Sequence, residues 1–282
     1  MDINMIINQI GPIDQEAGEQ AQTRFDDLIK PVGSLAKLEA MVAHYAGIIG
    51  SAAKKDVQYP KKALLLWSTD APAIAEAMHQ EQPVTLLARE AKAETYPLLI
   101  IGTDLEETLA EGALLTKEYL DNQKLQMLAF GALGTYAVDS RTEKLLLLDD
   151  GLEFLQALND SAITAMAGGI LQVAASKCPV MLDGVATCLA AIAAGKLAPL
   201  ALEYCLAGHV SAEPGMEKLL AHLKLSAPLR LDIQSGDGTG AVLAFTLFDA
   251  GIKAYNEMET FAEAGVHAEM QEFSQAAQIK GK

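Results

Sequence analysis

Apolar residues recur along this chain with two different spacings, and the places where the spacing changes outline its elements. From Leu35 to Ile49 they return every three or four positions (Leu35, Leu38, Met41, Val42, Tyr45, Ala46, Ile49), which predicts a helix with one buried face. Residues 14–29 carry a more polar helical pattern. Lys30-Pro31-Val32-Gly33-Ser34 separates the two helices, with Ser34 placed to cap the second. The runs ALLLW from Ala63, YPLLIIG at 96–102 and CPVMLDG at 178–184 are short, apolar and end in small or polar residues, as buried parallel strands do. Helix-period segments at 83–94 and 161–177 flank them, and this alternation predicts an α/β fold in which the three runs are neighbours in one mainly parallel sheet. Ligands of such sheets bind outside the carboxyl ends of the strands. That rule directs attention to Ser68-Thr69-Asp70, Gly102-Thr103-Asp104 and Asp183-Gly184.

The stretch 131–150 is rich in Gly, Thr, Ser and Asp before a leucine run, and reads as a functional loop region whose leucines fit either strand or helix. An Ala/Leu-rich helix follows Ala186 to about Ala194. Then come a turn-laden segment, AGHVSAEPGMEKLLAHL, and the glycine cluster SGDGTGA at 235–241. A last helix is expected from about Ala241 to Ala264, with a polar tail beyond Gly265.

Composition narrows the classes of partner. A chain of 282 residues that is 51% hydrophobic and 5% aromatic suits a helix-rich α/β enzyme with a large core. A formal charge of -16 repels polyphosphate, so nucleic acid and anionic membranes are not expected partners. Any phosphate must then be held locally, by N–H groups at helix starts and glycine turns. Cys178, Cys188 and Cys205 have no CxxC spacing and are expected as reduced core thiols. The amino terminus has no basic leader, and no stretch of about 18 apolar residues occurs, so a cytoplasmic location is expected. His44, His79, His209, His222 and His267 lack metal-ligand spacing, and no metal is predicted.

Three segments carry candidate chemistry beside ordinary structural readings. SGDGTGA opens an apolar helix, so its amides form an anion cradle with the Asp237 carboxylate beside it; it equally reads as a structural glycine turn. KPVGSLAKLE at 30–39 places Lys30 and Ser34 at a helix start, where ordinary capping, with Lys30 solvated and Glu39 paired on the helix surface, suffices to explain them. HVSAEPG at 209–215 brings a His, a Ser and a Glu into one loop without the pairing a hydrolytic triad needs, and His209 reads as a structural histidine.

In this order KPVGSLAKLE, ITAMAGGIL, CPVMLDGVA, HVSAEPG and SGDGTGAVLAF with DAGIKAYNEMETFAEAGV resemble the nicotinate-nucleotide:dimethylbenzimidazole phosphoribosyltransferases, which activate the lower-ligand base of cobamides. The similarity is dense from Ser161 to Val266 and clear again from Arg24 to Gly50, in a chain some tens of residues shorter than usual members. The resemblance implies a Rossmann-like parallel sheet flanked by helices in a large domain, 51–241, and a small helical domain built from 1–50 and 242–282. It implies a dimer, nicotinate mononucleotide and an aromatic base as partners, and no cofactor. The site residues it implies are Asp237 as general base, with Ser211, Glu213, Gly215, Gly236, Gly238, Gly240, Gln234, Asp183, Gly184, Lys30 and Asp70 around the substrates.

Some of these positions depart from the family pattern. Asp237 stands where the family has a glutamate one methylene longer, Gln234 where it usually has an arginine, and Gly131-Ala132-Leu133-Gly134-Thr135-Tyr136 where it has GEMGIGNTT. Thr69-Asp70-Ala71-Pro72 replaces its aspartate-histidine-glycine strand end. Two readings follow: an active transferase with an altered pocket, or a catalytically weakened paralogue serving as partner subunit of an intact member, so that a homodimer and a heterodimer are both open. A dinucleotide-dependent enzyme has no fingerprint behind it.

Overall fold

The structure, a computed structural model, describes residues 2–77 and 82–265; His79, His267 and the polar tail lie outside them. The elements begin with α1 (Ile3–Ile7), α2 (Gln15–Asp27), α3 (Lys37–Ile49), β1 (Lys62–Ser68), α4 (Ala71–Ala77) and α5 (Pro83–Glu90). Then come β2 (Ala93–Leu99), α6 (Leu105–Gln123), β3 (Met127–Ala132), α7 (Ser140–Leu145), α8 (Gly151–Leu158) and α9 (Ser161–Ala175). The chain continues through β4 (Val180–Leu182), α10 (Val185–Leu197), β5 (Cys205–Ala207), α11 (Met216–Leu223) and α12 (Thr239–Glu257).

The five strands form one sheet in the order β2-β1-β3-β4-β5, every pair parallel. The three apolar runs are in it, but the third is not a direct neighbour of the first, because β3 lies between β1 and β4. All six residues of β3 are buried. Its signal was the run Leu125–Ala132, which the glycine-rich reading of 131–150 cut short. The leucine run beyond it is neither a strand nor a whole helix, since α7 stops at Leu145 and a turn follows. Helix α5 also stops short of Glu94: Lys92 takes a left-handed φ of 56°, and β2 starts at Ala93, three residues before the expected run.

Against the sheet, α9 is buried continuously from Ala162 to Ala174, as a helix apolar on every side must be. Helices α6 and α9 meet backbone to backbone at Gly112 and Gly168. A Cβ at either would overlap a carbonyl of the other helix, Ala165 O or Leu109 O. Cys178, Cys188 and Cys205 are buried and unpaired, and burial pushes the Cys178 and Cys205 thiols up to about 12.

The chain divides into two units. The α/β unit holds the residues up to Pro12 and Pro60–Thr246; the helical unit holds Ile13–Tyr59 and the chain from Leu247 onward. The first dozen residues, expected with the helical ends, belong instead to the α/β unit. There Ile6 and Ile10 are buried, and the Tyr204 hydroxyl donates to Gly11 O at 2.8 Å. Residues 51–59, expected with the sheet, belong to the helical unit, where Tyr255 donates to Ala52 O and Asn256 to Val57 O.

In the helical unit, aromatic pairs Phe25–Tyr255 and Tyr45–Phe248 build the core. Helix α12 ends at Glu257 rather than near Ala264, because the chain leaves it to pair with 27–29: Ile29 N donates to Glu259 O and Phe261 N to Asp27 O, both at 3.0 Å. Ser34 does not cap α3. Its cap position, Ala36, has no side-chain hydrogen bond, and the Glu39 carboxylate instead reaches back to the preceding turn, accepting from Leu35 N at 2.8 Å.

Candidate active site

Parallel strands leave their carboxyl ends on one edge of the sheet, and three loops there are stitched to one another and to the end of β1 in the α/β unit. Ala132 N donates to Gly236 O at 2.9 Å, Leu133 N to Trp67 O at 2.9 Å, Val138 N to Pro214 O at 2.8 Å, and Ala212 N to Ile233 O at 2.9 Å. These bonds bring the 131–138 loop, the HVSAEPG loop and the SGDGTGA cluster together at the ends of β1, β3, β4 and β5. Gly131 allows it: a Cβ there would overlap the carbonyl of Asp237.

Three carboxylates occupy this edge with little positive charge to meet them. Asp183, at the end of β4 and 1% exposed, accepts from Gly238 N at 2.8 Å and from Ala241 N at 3.0 Å. Burial lifts its carboxyl to about 7 and the charges of Asp237 and Glu213 add to the lift, while the two amide bonds oppose it. Glu213 is buried, accepting from Val185 N and Ser211 Oγ, each at 2.9 Å, and it too is raised, chiefly by burial. Asp237 is half-buried at the mouth, its Oδ1 held by Ser235 Oγ at 2.8 Å and Thr239 N at 3.0 Å. His209 Nδ1 lies 3.9 Å from Asp183 Oδ1, but burial lowers its affinity for a proton, so the contact is not an ion pair. Among the described residues no group of three or more His, Cys, Asp or Glu is set to hold a metal ion.

The structure therefore gathers most of the residues singled out in the sequence and reassigns some. Gly236 and Gly238 sit at φ 60° and 96°, left-handed conformations that let the turn hold Asp237 at the mouth. Gly184 and Gly240 give room to Glu213 and Asp183, whose carboxylate oxygens a Cβ would overlap or crowd, and Gly215 opens α11 at φ 87°. The anion cradle expected at 235–241 is already filled in part: Gly238 N and Ala241 N serve Asp183, and Thr239 N serves Asp237. Gln234 is exposed on the rim, and Asp70 is exposed past the end of β1.

Lys30 belongs to the helical unit. It is neither solvated nor open to a ligand there, standing with its side chain 6% exposed and Nζ 2.8 Å from Glu39 Oε1, off the line of a hydrogen bond, so charge attraction carries the contact.

Thr187 escaped the sequence reading, and Tyr136 was named there only as part of the departing 131–136 stretch. Thr187 takes the Asp183 amide on its Oγ1 at 3.0 Å and donates to Gly184 O at 2.9 Å; a hydroxyl three residues past a helix-opening glycine was the available sign. Tyr136 is half-buried in the 131–138 loop, its phenol held above its ordinary value by burial and by the charges of Asp160 and Glu213. Asp160 also lines a cavity of about 570 Å³ between the starts of α6 and α9, with Thr103, Asp104, Asn159 and Thr164.

The comparisons with known proteins bear on the family and the fold of the chain. A family model described as Phosphoribosyltransferase matches residues 10–85 and 91–266. The nicotinate-nucleotide:dimethylbenzimidazole phosphoribosyltransferase of Chloroflexus aggregans is 29% identical over 348 aligned positions, covering 94% of this chain and 98% of that one. The protein of the same name from Rhodobacter capsulatus is 27% identical over 326 positions, covering 95% and 98%. In Ruminiclostridium cellulolyticum a protein of that name reaches 37%, over 168 positions and 60% of this chain. Among solved structures, the like-named protein of Thermus thermophilus superposes with a TM-score of 0.75 at 22% identity, covering 90% of this chain and 99% of that one, a likeness of fold. Among the described residues no helix is long and apolar enough to cross a membrane.

Proposed function

This chain belongs to the phosphoribosyltransferase family matched over residues 10–85 and 91–266, and from that premise we propose that it transfers the phosphoribosyl group of nicotinate mononucleotide to a benzimidazole-like or other aromatic base destined to be a cobamide lower ligand. The observation that carries the mechanism is the half-buried Asp237 carboxylate, fixed by Ser235 and Thr239 at the mouth of the stitched loops. A ring nitrogen of the base attacks C1′ of the donor. The C1′–N bond to the pyridinium breaks, its electron pair neutralises the departing nicotinate, and Asp237 takes the N–H proton from the new base ribotide. Glu213 and Ser211 stiffen the loop opposite, and Gln234 on the rim leaves the donor phosphate to neutral donors.

A dimer belongs to the same reading, formed with a second copy or with an intact family member, and light scattering of the purified chain decides between them. The transfer itself is tested by incubating the chain with nicotinate mononucleotide and a panel of benzimidazoles and phenols, alone and with an intact family member. Released nicotinate and a base ribotide, both seen by chromatography with the chain alone, are expected. Product only when the intact member is present contradicts the reading and leaves a partner subunit in its place.

A further inference from the structure

We infer that Asp183 is a positioning residue of the transfer, its carboxylate pinning the amides of Gly238 and Ala241 so that the Asp237 carboxylate stands where the base presents its proton. The inference rests on the reading of Asp237 as proton acceptor. It differs from the substrate-binding role expected for Asp183, which the geometry does not favour: the side chain is 1% exposed and both of its oxygens are taken by backbone amides.

The need for such a pin follows from the sequence of the loop. Gly236, Gly238 and Gly240 alternate with Asp237 and Thr239, so three of five residues contribute no side chain to anchor it, and glycine backbone is the costliest to order. Ala132 N holds the loop at Gly236 O, on the near side of Asp237. On the far side Asp183 reaches across 55 and 58 positions of sequence to Gly238 and Ala241, one bond just after Asp237 and one in the first turn of α12. Asp183 is fixed in turn. It follows the last residue of β4, and Thr187 accepts its amide. Gly240 lacks the Cβ that would crowd its Oδ1.

The groups facing Asp183 are Asp237 and Glu213, which disfavour its charge, the neutral His209 imidazole at 3.9 Å, and the buried Cys188 thiol. Its charged form is therefore held by the two amides against burial and like charge. Protonation near neutral pH withdraws one acceptor from the loop.

The test is Asp183→Asn in the full chain, read by amide hydrogen exchange and by steady-state kinetics. Exchange protection at Gly238 and Ala241 is expected to fall at least about tenfold. The kcat is expected to fall on the order of a hundredfold, the cost of moving a reacting group by about an ångström, with KM for nicotinate mononucleotide changed less than about threefold. The acid limb of the wild-type kcat profile near neutrality should be absent from the variant. Lost protection with unchanged kcat overturns the inference, as does a raised KM with kcat intact, which marks a substrate contact.

Should the variant not fold, the wild type answers. Amide signals of Gly238 and Ala241 that titrate together near neutral pH, in step with kcat, support the inference, and kcat flat across that titration overturns it. A wild type without turnover overturns the transferase reading and the positioning role together, whereas an active wild type with an unaffected variant overturns only the latter.

Discussion

In the helical unit the buried Glu39 meets a lysine, whereas in the α/β unit the buried Asp183 and Glu213 meet backbone amides, one serine and each other's field. Both arrangements come from short motifs of similar look, KPVGSLAKLE and CPVMLDGVA, and both keep a carboxylate out of water. The Lys30–Glu39 pair neutralises its charge on the spot, and Glu39 also ties down the turn before α3 through Leu35 N, which is what a structural acid needs. Asp183 and Glu213 are left without a cation, and burial holds both carboxyls above their ordinary values. The first arrangement holds a helix start in place, whereas the second holds the loops on either side of Asp237.

The largest expected effect tests the edge. Asp237→Asn should lower kcat by about 10²–10⁴-fold while nicotinate mononucleotide affinity, read by calorimetry, stays within about threefold. Asp237→Glu adds one methylene of reach and should raise turnover; a fall would mean the loop has settled around the shorter acid.

Lys30→Met probes the other side of the comparison. Leaving Glu39 buried without its cation should cost about 3–5 kcal/mol in denaturant unfolding, and adding Glu39→Leu should recover much of it. A stable Lys30→Met chain with weakened donor binding would return Lys30 to the substrate role first expected for it.

A third prediction separates the two kinds of acid by pH. Asp183 moves from an ordinary 3.8 to about 7 in the folded chain. Between those values the native state holds a proton that the unfolded state has released, so stability is greater at acid pH and is lost as pH rises through about 7. For a fully buried group the change is on the order of 2–4 kcal/mol. Melting curves at pH 5 and pH 8 should show this loss in the wild type and less of it in Asp183→Asn.

The smallest effect is at the rim. Gln234→Arg should tighten nicotinate mononucleotide binding about three- to tenfold by adding a charge-assisted contact to phosphate. Calorimetry showing no gain, with the fold intact, would count against placing the phosphate there.

Much of this was legible in the sequence, and the gaps have physical causes. Strand β1 and the end of β4 announced themselves because buried parallel strands are uniformly apolar, and LDG, SAEPG and SGDGTG marked the loops that converge. Strand β3 was lost because its last residues, Gly131 and Ala132, are small for the close approach of Asp237, and smallness reads as a loop. The three-residue β5 was too short to show a period. Residue roles depend on who holds whom across the chain. Nothing local says that Asp183 faces Gly238, 55 residues away, or that Lys30 faces Glu39 rather than a nucleotide.

The central claim is that the carboxylate at position 237 takes the proton of the attacking base, and chemical rescue addresses it most directly. Asp237→Ala removes the carboxylate and leaves a space that formate fits, so turnover of nicotinate mononucleotide with a benzimidazole would be followed against added formate. The variant is expected to be nearly inactive, with a rate that rises with formate concentration, more at pH values where the variant's loop is intact, while the wild type does not respond. An Asp237→Ala chain that turns over at the wild-type rate without formate would contradict it.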